Sequence, residues 1–478
     1  MRFLPTAVSF EQQSARHGAR FKWLVLLVVG MGIVAGVLST TSFNVAVPAL
    51  TRFFGLGQDQ VQWTMTGFMA AMTVAMLPTS WLLDRFGFRR VFLGALTALA
   101  LSSIAGSLSP NFPCVVGARI LQGLAAGVLQ PMGVLVVMRL FPIDSQGKAS
   151  GVLSFCIVLA PAVAPALGGA LLDYFGWQAI FLINLPFCLL GGVSALYLLP
   201  LPRAIQRHRF DWTGVSWLAL GTLALVESVV SLQKNGLLDQ WTLCQLAISL
   251  LAIAFFIRHA ARTEKPLFSL GLFRHRTFAM GSLVSFAYGF GMYASTYLIP
   301  VFMQNALGFS ASSAGMALIP SGIALALTIP LAGRMADRHS PQWITSGGLA
   351  LFGLSFLLFA LLGGQISYAE LIAASVIGRL GLGLILPALS LATLRHLEPH
   401  QLAQSSVVIS YMRQLGGVLG IAIAAVFVEW RESVYGHAAP GIYTAYAQAF
   451  LLLALVFALA LLASFMMKTP ERAVEIDR

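Results

Sequence analysis

The chain is written as a long series of apolar runs, each about the length that carries a helix across bilayer hydrocarbon, roughly 20 residues, with short polar connections between them. No water-soluble core could hide so many such runs. Only 10% of the 478 residues are charged, whereas soluble domains carry about 25%. Lipid is therefore the solvent. In lipid every backbone N–H and C=O must be satisfied internally, which leaves helices or a closed barrel. Nothing in the runs follows the two-residue period of barrel strands, so the expected fold class is an all-α polytopic membrane protein.

The runs predict fourteen spans, at about 23–42, 61–83, 91–108, 115–138, 151–172, 179–199, 213–232, 242–257, 278–303, 315–333, 344–363, 371–394, 407–428 and 447–467. Every tryptophan except Trp217 lies near a predicted span end, as in an interfacial aromatic belt. The apolar run from Trp23 is too long for a signal-peptide core and is expected to remain as the first span.

A net charge of +12 raises the question of a nucleic-acid partner, and the positions of the 29 Lys and Arg residues answer it. Arg119, Arg379 and Arg413 fall within spans, and Arg52, Lys234 and Arg431 fall on one side. All the others fall on the opposite side. That asymmetry is the positive-inside rule, which makes the basic side cytoplasmic, puts both termini there given the even number of spans, and makes nucleic acid an unsuitable partner. Cys114, Cys156, Cys188 and Cys244 have no regular spacing and read as packing rather than as a disulfide frame or metal site. No metal or cofactor is expected.

Two basic connections, Pro200 to Trp212 and Arg258 to Arg276, bracket spans seven and eight. They divide the chain into a cytoplasmic segment 1–22, a six-helix bundle 23–199, cytoplasmic loops with an inserted helical pair 200–276, a second six-helix bundle 277–467 and a tail 468–478. A repeat supports the division. Ser80-Trp-Leu-Leu-Asp84-Arg85 returns as Gly333-Arg-Met-Ala-Asp337-Arg338, and Arg119-Ile-Leu-Gln122-Gly123 returns as Arg379-Leu-Gly-Leu-Gly383. The shifts, from 84 to 337 and from 119 to 379, are nearly equal. Tandem halves are the plan of many secondary transporters, with a substrate site near the midplane between them.

The loop Ser80-Trp-Leu-Leu-Asp84-Arg85-Phe-Gly87-Phe-Arg89-Arg90 resembles the signature loop of the major facilitator superfamily, with Ser80 and Phe88 as departures. Gly87 permits a tight turn, and Asp84 is suited to pair with arginine or to face a helix N-terminus. The resemblance implies a gate of Asp84, Arg85, Gly87, Arg89, Arg90, Asp337 and Arg338, in which Asp84 faces the start of span thirteen near Ser405 and Asp337 the start of span five near Ser150. The plain alternative is an ordinary positive-inside loop. Arg119 and Gln122 match the family pattern Arg-x-x-Gln-Gly, for which the resemblance implies proton coupling. The plain alternative there is an arginine that braces the bundle through backbone carbonyls. Pro161, Pro165, Gly168 and Gly169 resemble the Gly-Pro-x-x-Gly-Gly motif of facilitator antiporters, with Ala164 replacing the first glycine.

Asn44-Val-Ala-Val-Pro48, Trp177 to Pro186 and Arg413-Gln414-Leu-Gly416-Gly417 extend the resemblance to the fourteen-span drug:proton antiporters of the EmrB/QacA type. That resemblance implies alternating-access export of hydrophobic or cationic compounds in exchange for protons. In a Gram-negative source it also implies docking to a periplasmic adaptor protein and an outer-membrane channel. A specific metabolite or siderophore exporter, and a non-transporting sensor or scaffold derived from a transporter, are the alternatives. Exporters of this type often carry Asp where this chain has Ser39, so Glu227, the only acid well inside a predicted span, becomes the candidate for proton handling. Its plain alternative is a side chain that snorkels outward. Met65, Phe68, Gln130, Tyr288, Tyr293, Tyr297 and Gln304 are the candidate substrate lining, each with plain packing as its alternative. The spans supply no convergent set of catalytic acids, histidines or metal ligands, and no enzyme is expected.

Overall fold

The computed structural model describes residues 18–56, 58–61, 63–199, 210–236, 239–264, 266–436 and 438–467. The long helices are α1 Phe21–Thr41, α2 Trp63–Met76, α3 Thr79–Phe86, α4 Phe88–Ser107, α5 Phe112–Leu140, α6 Ile143–Phe175 and α7 Leu185–Leu198. They continue with α8 Trp212–Asn235, α9 Gln240–Ala260, α10 Arg276–Asn305, α11 Ala311–Arg338, α12 Pro341–Leu362, α13 Tyr368–Leu394, α14 Leu402–Tyr435 and α15 Ala439–Phe465. Among the described residues, eleven helices are long and apolar enough to cross a membrane. The count becomes twelve when the bent pair α2 and α3 is taken as one span. The two segments meet at 53°, with Pro78 at the break, where proline removes a helix hydrogen bond.

Side-chain caps start five of the fifteen helices. Asn111 accepts the Cys114 N–H at the head of α5, and Asp239 accepts those of Trp241 and Thr242 at the head of α9. Ser367 and Glu370 close a capping box on α13. Glycine then sets which helices touch. A Cβ on Gly123 or Gly127 of α5 would meet the Phe68 or Met72 carbonyl of α2, and one on Gly416 or Gly420 of α14 would meet the Phe286 or Phe290 carbonyl of α10. Such close crossings are how helices associate in lipid, where apolar side chains gain little by leaving the solvent.

Burial follows the same logic. One core cluster, around Phe92, Leu99, Leu129 and Leu153, fills the first half, and a second, around Phe302, Phe352, Phe359 and Phe450, fills the second half. The first reaches across to Leu394 and Val407 of the second half. Leucines such as Leu121, Leu250, Leu327 and Leu361 stay exposed, as expected of a lipid-facing surface. Trp63, Trp212, Trp241, Trp343 and Trp430 are exposed. Trp177 departs from the belt expected of it. It is buried, with its ring against Phe53, Phe54 and Phe181.

Helices α8 and α9 pair with each other, and Thr222 of α8 is hydrogen-bonded to the Tyr411 hydroxyl of α14 at 2.5 Å. Asp211 anchors the pair. It caps α8 through Gly214 N–H, accepts the Leu267 N–H and lies 2.7 Å from His259 Nε2.

Candidate functional site

Arg119 sits two turns into α5 and is 1% exposed. Its Nε donates to the Thr64 carbonyl of α2 at 3.1 Å, and one terminal nitrogen donates to the Ser39 carbonyl of α1 at 2.8 Å and to Gln122 Oε1 at 2.9 Å. Gln122 passes the network on to Ser103 of α4, and Asn184 donates to the Ser39 hydroxyl. Phe43 and Phe68 cover the guanidinium, each ring centroid 4.2 Å away. Three oxygens and two aromatic faces thus solvate a buried charge. Each is neutral. Ser39 stands inside this network, and its hydroxyl also donates to the Ala35 carbonyl.

A cavity of about 280 Å³ lies between the halves. Val37 of α1, Gln130 of α5 and Phe155 and Val158 of α6 form one wall. Tyr288, Met292 and Tyr293 of α10, Leu325 of α11, Arg379 of α13 and Arg413 and Gln414 of α14 form the other. Gln130, Tyr288, Tyr293, Arg379 and Arg413 are therefore brought together. Phe68 is placed elsewhere, against Arg119, because its helix turns that ring inward to the first half. Met65, Tyr297 and Gln304 are not among the cavity residues. Tyr297 is 37% exposed, and the exposed Gln304 donates to its own helix at the Pro300 carbonyl. Met292 and Thr296 escaped the sequence reading, although they follow Tyr288 at intervals of four on one helical face.

At the end bearing the basic loops the halves touch. The Asp337 carboxylate on α11 accepts the Gly147 and Lys148 N–H groups of α6 at 2.6 and 2.8 Å, with Arg395 at 4.0 Å. Arg395 also donates to the Ile143 carbonyl, and Ser150 to that of Pro387. Gly333 and Gly147 are in backbone contact. Asp84, on α3, lines a cavity of about 370 Å³ with Ser80, Gln401, Ala403 and Gln404. Gly87 turns the chain at φ +80°, Arg85 lies over the Trp81 ring, and Arg89 donates to the Leu196 carbonyl. Arg90 and Arg338 are exposed. An Asp337→Asn protein should fold but lose about 1.5–3 kcal/mol from this contact, the worth of hydrogen bonds to a charged acceptor. A lowered melting temperature of the detergent-solubilised protein checks this.

Glu227 is half-buried on α8 and is not a cavity residue. Pro161 and Pro165 lie within α6, Gly168 packs near the Ser42 carbonyl, and a Cβ on Gly169 would meet nothing. Among the described residues no cluster of His, Cys, Asp or Glu could hold a metal ion.

The sequence model described as Major Facilitator Superfamily matches residues 23–288 and again 281–477. The chain belongs to the major facilitator superfamily. Membership makes it a membrane transporter rather than an enzyme. A relative named "Multidrug resistance protein B homolog" from Mycobacterium tuberculosis is 32% identical over 414 residues, which cover 85% of this chain and 77% of the relative. An uncharacterized MFS-type transporter of Bacillus subtilis, YcnB, is 26% identical over 94% of this chain and 96% of its own length. Two solved facilitator structures share the fold. The human organic anion transporter MFSD10 aligns with a TM-score of 0.64 at 17% identity, covering 91% of this chain and 99% of its own. The proton:xylose symporter XylE aligns at 0.65 and 14% identity, covering 91% and 95%.

Proposed function

We propose that this facilitator is a secondary active exporter of small hydrophobic compounds, exchanging them for protons by alternating access. The observation that carries the reading is the cavity walled by both halves, with contacts between the halves at the basic end. Rocking about such a cavity is how tandem-repeat transporters work. The multidrug-resistance name of the mycobacterial relative supports export.

In this reading α6 and α10, of 33 and 30 residues, join the twelve spans to give fourteen, and α8 and α9 are the pair inserted between six-span halves. The basic end is cytoplasmic by the positive-inside rule, in a bacterial inner membrane. Asp84, Arg85, Gly87, Arg89, Arg90, Asp337 and Arg338 form the gate, and Pro161, Pro165, Gly168 and Gly169 give α6 its antiporter character. Arg119 and Gln122 serve coupling, with Glu227 as the titrating acid.

Purified protein in liposomes tests this. Dye flux should rise when a proton gradient is imposed, and Glu227→Gln should remove that response. Absence of flux under every gradient would rule the reading out, and unchanged proton-driven flux in Glu227→Gln would remove that residue from the mechanism.

A further inference from the structure

The charge of the central cavity narrows the substrate. Its charged lining residues are Arg379 and Arg413, and no carboxylate stands among the described lining residues. Neither guanidinium forms a hydrogen bond or ion pair with a described residue, in contrast to Arg119 with its full set of acceptors. Both lie within electrostatic reach of the Tyr288 hydroxyl. That hydroxyl is itself buried and without a hydrogen-bond partner on the cavity wall. The carboxylates acting from the far end of α14, Glu429 and Glu432, touch on Tyr297 rather than on this group. Glu429 is sixteen residues beyond Arg413, about 24 Å along a helix.

Charged side chains inside a membrane protein are costly and normally pair with each other or with backbone carbonyls. Two that pair with neither, beside an unsatisfied hydroxyl, mark donors waiting for an acceptor. The rest of the wall is mostly apolar, with Phe155, Val158, Leu318 and Leu325 beside the neutral polar groups of Gln130, Thr296, Ser321 and Gln414. We propose that the cavity binds amphipathic organic anions, whose carboxylate or sulfonate head is held by Arg379, Arg413 and Tyr288 and whose apolar body lies against the α6 and α11 side chains. This rests on the exporter reading and gives it a substrate class, in place of the cationic compounds expected from resemblance. An anion also leaves a cell down the electrical gradient, a drive of about 50-fold in concentration per 100 mV. Proton entry adds to that drive and need not supply it alone.

The test is binding to protein in phosphatidylcholine nanodiscs, with naphthalene-2-sulfonate and the matched cation 2-naphthyltrimethylammonium as probes. The wild type should bind the sulfonate at least tenfold more tightly. Arg379→Gln and Arg413→Gln should each weaken the sulfonate by about 10–100-fold, the range for charged hydrogen bonds, and leave the cation unchanged. Arg413→Lys, which keeps the charge, should recover part of the loss and guards against misfolding of the glutamine variants. Equal or tighter binding of the cation, or undiminished sulfonate binding in both glutamine variants, overturns the proposal.

Nanodiscs of phosphatidylglycerol separate the two sources of anionic headgroup. Unchanged sulfonate affinity supports a soluble anion, and a tenfold loss assigns the site to lipid and overturns it. Liposome flux keeps the two readings apart. Movement of the cation but not the sulfonate sinks this inference alone, and movement of neither, nor of any dye, sinks the exporter reading.

Discussion

Arg119→Ala should abolish export and lower the melting temperature of the detergent-solubilised protein by several degrees. The guanidinium binds the Thr64 and Ser39 carbonyls and Gln122, and lies between the Phe43 and Phe68 rings. Through Gln122 and Ser39 it also holds Ser103 and Asn184. Alanine leaves oxygens without donors and a void between two rings. Unsatisfied buried acceptors and a large-to-small cavity cost about 3–5 kcal/mol together.

Arg119→Lys should rescue little, because a single ammonium cannot reproduce the planar fork that reaches α1, α2 and α5 at once. Differential scanning fluorimetry and efflux read on the same preparations check both variants. In this reading Arg119 is a brace as well as a coupling group. Residual Arg119→Lys flux that still responds to a proton gradient would leave it a brace alone, and unaltered export in Arg119→Lys would sink the fork argument.

The contrast between Arg119 and Arg379 shows how far the sequence is legible. The repeat announces them as equivalents, and both do lie on long helices of their halves, α5 and α13. Their surroundings differ because Gln122, which accepts from Arg119 three residues away, has Leu382 as its counterpart. Without that acceptor Arg379 turns to the cavity, where Leu382 is also found. The signal was present in the repeat, but only a comparison of what surrounds each arginine gives it meaning.

Most spans were legible for a simpler reason, since lipid demands an apolar run of nearly fixed length, and eleven described helices, or twelve with the bent pair, meet it. The cavity wall was not. Phe68 and Tyr288 are both buried aromatics on membrane helices, and only the rotation of each helix sends one to Arg119 and the other to the midline. Trp177 likewise follows from local packing, because its ring meets Phe53 and Phe54 from another part of the chain. The departure at Ser80 also has a physical account. Its counterpart Gly333 meets the Gly147 backbone, where a side chain has no room, whereas Ser80 borders the cavity beside Asp84.

That backbone contact leads to the second large effect. Gly333→Val should stop transport by at least about 100-fold while leaving the fold intact. A Cβ at Gly333 would meet the Gly147 carbonyl and lie 2.9 Å from Gly151 Cα, both on α6 across the junction of the halves. Backbone on one rigid helix against backbone on another cannot yield as a flexible side chain does. The cheapest relief is separation of the halves at the basic end, which opens the cavity there and holds it open. A shift of about 3 kcal/mol, the upper range for overpacking, moves a two-state equilibrium by more than about 100-fold.

The state is readable directly. In a background lacking Cys114, Cys156, Cys188 and Cys244, a cysteine replacing Gln130 on the cavity wall should react with an impermeant maleimide added on the side of the basic loops in the Gly333→Val protein and hardly at all in its absence. Substrate binding should persist, since Gly333 is not among the residues that line the cavity. Gly147→Val should give the same pattern, because its Cβ would meet the Gly333 carbonyl and the Asp337 carboxylate. Normal export by either variant would show that the halves need not close at these glycines, and would remove the basic-end contact from the transport cycle.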